Sequence, residues 1–221
     1  MIQVDAELAP FSVTDLRARA VGVLKPPDEL AEVAMQGSAR FSDLRLNPEL
    51  GPARCDADTR AAVVLVPVIA RLPEATVLLT ERSMHLPTHA GQIAFPGGKM
   101  DTTDAIPVNT ALREAREEVG LDAKLVRPIG FLDTYQTVTN FRVAPLVAEV
   151  SPDFVPTPDA SEVADAFEVP LRFLMSGENH QIHSKMYGEL ERYYYAMPYK
   201  ERYIWGATAG ILRNLYEWLY S

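Results

Sequence analysis

Residues 93–121 constrain the fold more than any other stretch of the chain. An apolar run is cut at Pro96-Gly97-Gly98 and is followed by a polar loop. From Pro107 onwards, apolar side chains recur with a helical period until Gly120, a residue suited to the left-handed conformation that ends many helices. The stretch therefore predicts a strand, a loop and a helix, in that order.

The predicted helix has one apolar face. Its N-cap is predicted at Thr103 or Asp104, because Pro107 is tolerated only in the first turn of a helix. At about 100° per residue, five apolar side chains share one stripe, which is the predicted buried face: Val108, Ala111, Leu112, Ala115 and Val119. Such a stripe requires an apolar surface that covers it.

Three glutamates lie off this stripe and crowd one edge of the helix: Glu114, Glu117 and Glu118. Like charges at such spacings oppose helix formation by about 0.2–0.5 kcal/mol per pair. A hard divalent cation would remove the repulsion, and carboxylate oxygens suit Mg²⁺ or Mn²⁺. A solvated acidic face is the alternative interpretation. The upstream Gly97-Gly98 favours the metal site, because glycines let backbone groups approach a ligand closely.

The spacing of these residues follows a known pattern. Gly98 is followed after five residues by Asp104 and, after eight more, by Arg113-Glu114-Ala115-Arg116-Glu117-Glu118-Val119-Gly120-Leu121. This arrangement resembles the Nudix box, G-x5-E-x7-R-E-U-x-E-E-x-G-U, in which U is apolar. Asp104 stands where glutamate is usual, the loop is one residue longer, and Ala115 is small for the apolar position.

The resemblance implies an α+β Nudix fold, an α/β/α sandwich with a mixed sheet between helices, and a metal-dependent diphosphatase. Mg²⁺ or Mn²⁺ would be held by a backbone carbonyl and three carboxylates: Gly98, Glu114, Glu117 and Glu118. The residues expected to act in catalysis are Glu114, Arg113 and Glu117. Glu114 is the expected general base, with Glu162 or Glu168 from a later loop as the alternative, and Arg113 would orient the neighbouring glutamates by ion pairing.

A second group of residues precedes the box. Leu78-Leu79-Thr80-Glu81-Arg82-Ser83 and then His89-Ala90-Gly91-Gln92-Ile93-Ala94-Phe95-Pro96-Gly97-Gly98 resemble the signature of the coenzyme A diphosphatase branch, from which Pro87 departs. The residues expected to bind substrate are Arg82, His89, Gly91, Gln92 and Gly97. Arginine pairs bidentately with phosphate oxygens, and Gly91-Gln92 offers backbone and amide donors. The alternatives are a surface ion pair for Arg82 and a loop-stabilising hydrogen bond for His89.

The other predicted elements are strands at 61–70, 75–80, 125–135 and 141–150, a short helix at 12–20, and one helical turn at 29–35 within an irregular connection. Pro67 indicates a sheet edge or a bulge, because proline cannot donate a ladder hydrogen bond.

The C-terminal segment also resembles the coenzyme A branch. Residues 190–198 and 202–205 predict a hairpin, and residues 206–220 predict a helix. Two amphipathic helices each need an apolar surface, so we expect the helices at 105–119 and 206–219 on opposite faces of the sheet. Core packing and adenine stacking are the two interpretations of five aromatic residues: Tyr193, Tyr194, Tyr195, Tyr203 and Trp205.

Composition limits the partners and the compartment. The 221 residues are 48% hydrophobic with a net charge of −9, which gives no basic footprint for nucleic acid or an anionic membrane. Neither a secretory pattern nor a membrane span is indicated, and Cys55 as the single cysteine fits a cytoplasmic protein. We expect residues 1–55 to be an N-terminal extension packed on a Nudix domain at 56–221. Family resemblance is compatible with a homodimer.

The two motifs together predict hydrolysis of the diphosphate linkage of coenzyme A or its thioesters. The products would be 3′,5′-ADP and 4′-phosphopantetheine or its acylated form. A broader nucleoside-diphosphate hydrolase, acting on ADP-ribose or NADH, would need the same glutamates and is the first alternative. A non-catalytic nucleotide-binding Nudix module is the second. Such a module would be expected to have lost metal ligands, whereas Glu114, Glu117 and Glu118 are all present.

Overall fold

The computed structural model describes residues 9–27, 40–50, 59–100 and 106–221. Its strands are β1 (Phe41–Ser42), β2 (Arg60–Ile69), β3 (Thr76–Arg82), β4 (Ile93–Ala94), β5 (Gly97–Lys99), β6 (Val126–Phe131), β7 (Tyr135–Gln136), β8 (Phe141–Val150), β9 (Val163–Pro170), β10 (Gln181–Tyr187), β11 (Leu190–Tyr199) and β12 (Arg202–Trp205). Its α-helices are α1 (Val13–Ala20), α2 (Pro107–Val119), α3 (Leu171–Leu174) and α4 (Gly206–Leu219). Short 3₁₀ turns lie at Asp43–Leu46, Pro48–Leu50, Ala123–Leu125 and Gly177–Asn179.

Strands β1 to β9 form one mixed sheet within the described residues. Its order is β1-β7-β8-β2-β3-β4, with β5 paired to β2, β6 to β8 and β9 to β3. Strands β2 and β8 are parallel along their whole length, whereas β3 runs antiparallel to β2, β4 and β9. The predicted mixed sheet is therefore confirmed.

The two faces of this sheet carry separate cores. Along β2, Val63 and Leu65 belong to one core, while Val66 and Val68 belong to the other, so the strand buries both of its faces. Helix α2 covers the first face with Ala111, Ala115 and Val119. Helix α4 covers the second face with Ala209, Leu212 and Leu215. The predicted α/β/α arrangement is therefore confirmed, with the two helices on opposite faces.

Helix α2 buries a face that is rotated from the predicted stripe. Leu112 is only half-buried, whereas Thr110 and Glu118 are buried. The prediction of a buried Leu112 is therefore wrong. The physical reason is that the helix turns its glutamate edge toward β5, where Glu118 accepts a hydrogen bond from the Gly97 N–H at 3.3 Å.

Both ends of α2 are defined by single residues. The helix begins at Pro107, and Ile106 takes the N-cap position without a side-chain hydrogen bond. The predicted N-cap is therefore wrong, and its two candidates, Thr103 and Asp104, lie outside the described residues. At the other end Gly120 adopts a φ of 70° and its N–H bonds back to the last turn, so the predicted glycine stop is confirmed.

Pro67 lies in the centre of the sheet, so the predicted sheet edge or bulge is wrong. On one side it pairs in register with Ala148 of β8. On the other side, the partner of β2 changes from β5, which ends its pairing at Val64, to β3, which begins its pairing at Val68. The missing N–H of Pro67 falls between these two partners and costs no ladder hydrogen bond.

The N-terminal segment contributes to the core on the α4 side. Helix α1 is capped by Ser12, whose hydroxyl accepts from the Asp15 N–H at 3.1 Å, and Leu16 is fully buried. This confirms the predicted helix. The predicted turn at 29–35 and Cys55 lie outside the described residues, and the domain division near residue 55 stays a prediction.

Strands β10 to β12 form a second, antiparallel sheet. The predicted hairpin is confirmed by the pairing of Tyr199 with Arg202, whereas β10 was not predicted. Helix α4 follows β12 directly at Gly206. Among the described residues, no helix is both long and apolar enough to cross a membrane.

Candidate active site

A cavity of about 540 Å³ lies between strand β5, the second sheet and the start of α4. Its walls come from segments that are far apart in sequence. Its lining includes Asp43, Asn47, Arg82, His89, Gln92, Gly97, Gly98, Lys99, Tyr187, Arg192, Tyr194 and Trp205. Substrate-binding residues expected from the sequence therefore share this cavity with residues from the N- and C-terminal segments.

Two adjacent glycines join the cavity to helix α2. A Cβ on Gly97 would lie 2.4 Å from the Val63 carbonyl oxygen and 2.6 Å from the Val64 Cα, and its φ of 155° is rare for other residues. A Cβ on Gly98 would lie 2.4–2.6 Å from the carboxylate of Glu114. Gly97 thus requires glycine for close backbone packing, whereas at Gly98 a side chain would displace the flexible carboxylate of Glu114.

Glu118 is a buried carboxylate at this junction. It is 3% exposed and accepts a hydrogen bond from the Gly97 N–H. Its cationic neighbour is Arg82, whose Nη1 lies 4.0 Å from Glu118 Oε1. Burial raises the pKa of Glu118 to about 8, against the lowering effect of Arg82. The carboxylate is therefore held in a position where its negative charge is poorly compensated by the protein.

Glu114 and Glu117 share one arginine. Arg113 Nη1 donates to Glu114 Oε1 at 2.9 Å and to Glu117 Oε2 at 3.1 Å. Burial raises the pKa of Glu114, and the hydrogen bond from Arg113 partly offsets this. The side chain of Glu117 is 57% exposed. The three glutamates thus differ in environment, although they occupy one edge of the helix.

The loop between β3 and β4 places the second sequence motif at the cavity. The N–H of Arg82 donates to the Gln92 carbonyl and the N–H of Gly91 donates to the Arg82 carbonyl, each at 3.0 Å. A ring nitrogen of His89 lies 2.9 Å from Gln92 Oε1. Gly91 adopts a φ of 69° and, unlike its neighbours Arg82, His89 and Gln92, does not line the cavity.

The two alternative bases lie in different elements: Glu162 lies in the turn before β9, whereas Glu168 lies within strand β9, so its predicted loop position is wrong. The charge of Glu162 contributes to the raised pKa values of both Glu114 and Glu118, so this residue lies near the glutamate edge. Glu168 instead accepts from Arg71 at 2.7 Å and from the Thr76 hydroxyl. Of the two alternative bases, only Glu162 is placed near the other carboxylates.

Several cavity residues were missed from the sequence. Asn47 is buried, and its amide bonds to both the backbone N–H and the carbonyl of Tyr193, at 2.7 and 2.8 Å. Strand β11 carries Arg192 and Tyr194 on the same face, since side chains alternate along a strand. That alternation was a usable signal for Arg192. No local pattern pointed to Asn47.

Comparison with known proteins identifies the family. A family model described as "NUDIX domain" matches residues 59–190. The chain belongs to the Nudix family. Two relatives, both named "Uncharacterized Nudix hydrolase NudL", come from Escherichia coli (strain K12 / DH10B) and Shigella boydii serotype 18; each is 42% identical over 178 residues, covering 80% of this chain and 90% of the relative. A solved Nudix hydrolase from M. smegmatis, RenU, matches with a TM-score of 0.44 and 21% identity over 52% of this chain and 72% of its own.

This Nudix protein is a hydrolase that acts on pyrophosphate bonds, and Nudix hydrolases generally use divalent metal ions. Within the described residues, no group of three Asp, Glu, His or Cys side chains is already arranged to hold a metal ion. The donors nevertheless fit such an ion. Glu118 accepts from the Gly97 N–H, and Glu114 lies against Gly98 in a space that a Cβ at Gly98 would fill. Their oxygens are the ligands that Mg²⁺ and Mn²⁺ prefer.

Proposed function

We propose that this Nudix hydrolase cleaves the diphosphate linkage of coenzyme A or its thioesters, releasing 3′,5′-ADP and 4′-phosphopantetheine or its acylated form. The observation that carries the proposal is the two-part motif, whose halves meet at one place in the fold. Arg82, His89 and Gln92 line the same cavity as Gly97 and Gly98, which contact the glutamates of α2. The proposal includes a cytoplasmic location and a homodimer.

The metal would be held by Glu114, Glu117 and Glu118 with the Gly98 carbonyl, and would neutralise the diphosphate and acidify a water molecule. Arg82 binds the phosphate oxygens, since it lies at the cavity wall beside Glu118 and its buried Nε has no hydrogen-bond partner among the described residues.

Proton transfer is assigned to Glu114. Its carboxylate lies against Gly98 at the wall of the cavity, beside the proposed position of the diphosphate, which favours a general base. Arg113 keeps Glu114 in place through the 2.9 Å hydrogen bond and is therefore a positioning residue. Glu162 is the alternative base, because it lies near the same carboxylates.

An assay of the purified chain with Mg²⁺ or Mn²⁺ against coenzyme A, ADP-ribose, NADH and a diadenosine polyphosphate tests the proposal. We expect coenzyme A to have the highest kcat/KM and to yield 3′,5′-ADP. If coenzyme A is the poorest substrate, the broader nucleoside-diphosphate hydrolase is the correct assignment. Tight binding of coenzyme A without turnover would identify a non-catalytic module.

A further inference from the structure

The cavity is cationic although the whole chain carries a net charge of −9. Among the described residues that line it, the basic side chains are Arg82, Lys99 and Arg192, and the single carboxylate is Asp43. An excess of positive charge inside an acidic protein indicates an anionic ligand. Arg82 lies next to Glu118, at the end where the diphosphate is proposed to bind. Arg192 lies on the second sheet and has no role in that chemistry.

The position of Arg192 follows from strand register. Arg192 pairs with Lys185 and Tyr194 pairs with His183, so alternation places both on one face of the sheet, together with Tyr187. The Arg192 guanidinium lies 5.0 Å from the ring centroid of Tyr187. Arg192 and its two tyrosine neighbours on this face all line the cavity. The face thus combines a cation with aromatic rings.

The Arg192 guanidinium makes no hydrogen bond to another described residue. Its buried Nε has no hydrogen-bond partner among the described residues. The nearby carboxylate, Asp43, uses Oδ1 to accept from the Tyr135 hydroxyl at 2.7 Å and Oδ2 to accept from the Val138 N–H at 2.9 Å. The charge of Arg192 acts on Asp43, and burial raises the pKa of that carboxyl. The guanidinium donors of Arg192 are thus left for a ligand in the cavity.

We propose that Arg192 selects nucleotides that carry a phosphomonoester on the ribose in addition to the scissile diphosphate. Two arginines, Arg82 and Arg192, line one cavity with buried, unpartnered Nε atoms, and they stand on different sheets. A ligand with two separate anionic groups satisfies both. The aromatic rings beside Arg192 suit the adjoining purine. This inference rests on the proposed function, in which the second group is the 3′-phosphate of coenzyme A.

Two substrates that differ by one phosphate test the inference. We expect the wild type to favour coenzyme A over 3′-dephospho-coenzyme A by about 10- to 100-fold in kcat/KM, because a charge-assisted pair is lost with the phosphate. Arg192→Gln should abolish this preference, mainly by raising KM for coenzyme A. Its kcat/KM for dephospho-coenzyme A should stay within about twofold of the wild-type value. Arg192→Lys should restore part of the preference. Arg127→Gln, a change of an exposed arginine outside the cavity, should keep all of it.

Binding without catalysis gives an independent measurement. In chelator, calorimetry should show that the wild type binds 3′,5′-ADP about 10- to 100-fold more tightly than 5′-AMP. Arg192→Gln should bind the two ligands with equal affinity. If Arg192→Gln weakens both ligands alike, Arg192 has a structural role and the inference is wrong. Equal kcat/KM values for coenzyme A and its dephospho form in the wild type would also overturn it, while leaving the proposed function intact. If neither form is cleaved, the proposed function fails, and the comparison of 3′,5′-ADP with 5′-AMP by calorimetry alone tests the role of Arg192.

Discussion

At the scale of single residues, the burial of Glu118 is expected to lower stability, whereas its proposed role in metal binding requires its negative charge. Its carboxylate is 3% exposed, and burial raises its pKa from 4.5 to about 8. An unfolded chain ionises this group near pH 4.5, whereas the folded, metal-free chain keeps it protonated to a much higher pH. The free energy of unfolding should therefore fall as pH rises from about 4.5 to about 8.

Replacing Glu118 with Gln should flatten that pH dependence. In chelator, we expect Glu118→Gln to match the wild type near pH 4.5 and to be more stable by roughly 4 kcal/mol near pH 8, because glutamine is never charged and still accepts from the Gly97 N–H. Urea unfolding at several pH values measures this. Glu117→Gln, at an exposed position of the same helix, is the control. Parallel curves for wild type and Glu118→Gln would show that the buried charge costs nothing.

Activity should move in the opposite direction. If Glu118 is a metal ligand as proposed, Glu118→Gln should lower kcat by about 10²- to 10⁴-fold, because the loss of one metal-binding charge removes several kcal/mol of transition-state stabilisation. Saturating Mg²⁺ should raise the Tm of the wild type, and less so that of Glu118→Gln. A solvated acidic face predicts unchanged turnover, and a structural ion pair predicts that stability and activity fall together.

At the scale of elements, two adjacent glycines of strand β5 are predicted to have different roles, Gly97 in backbone packing and Gly98 in catalysis. Gly98→Ala places a Cβ on the flexible carboxylate of Glu114, so we expect kcat to fall about 10-fold or more with little loss of stability. Gly97→Ala places a Cβ on the Val63 and Val64 backbone, so we expect unfolding to become easier by about 1–3 kcal/mol. Kinetics and urea unfolding of both variants measure this. Equal effects of the two changes would contradict the assignment.

Asn47 joins the second sheet to the N-terminal segment. Its amide satisfies the Tyr193 N–H and carbonyl and the Asp43 carbonyl. We expect Asn47→Ala to destabilise the protein by about 1–3 kcal/mol, because buried backbone groups lose their partners. Asn109→Ala, at an exposed site of α2, should change the free energy of unfolding by less than about 0.5 kcal/mol. Urea unfolding of the two variants measures the difference, and a neutral Asn47→Ala would show that these bonds are replaced by water.

The sequence was most informative about elements with a strong local pattern. The β2 run, the α2 stop at Gly120 and the 199–202 turn follow from periodicity and glycine, and all three appear in the structure. The rotation of α2 does not follow from its own pattern. It depends on the glycines of β5, which let Glu118 rather than Leu112 pack inward.

At the scale of the whole molecule, the α/β/α arrangement was predictable because two amphipathic helices need two apolar faces. The cavity was predictable only in part. Its wall at residues 82–99 lies within the motifs, but residues 43–47 and 187–194 reach it through long-range pairing. Strand alternation could have drawn attention to Arg192, but it could not show what that side chain faces.

The release of 3′,5′-ADP from coenzyme A in Mg²⁺ tests the central claim most directly, namely that the glutamate edge of α2 and the adjoining cavity form one site that hydrolyses the diphosphate of coenzyme A. The account predicts equal amounts of 3′,5′-ADP and 4′-phosphopantetheine from the wild type, and release at least about 10²-fold slower from Glu118→Gln. Cleavage of ADP-ribose without cleavage of coenzyme A, or undiminished release by Glu118→Gln, would contradict it.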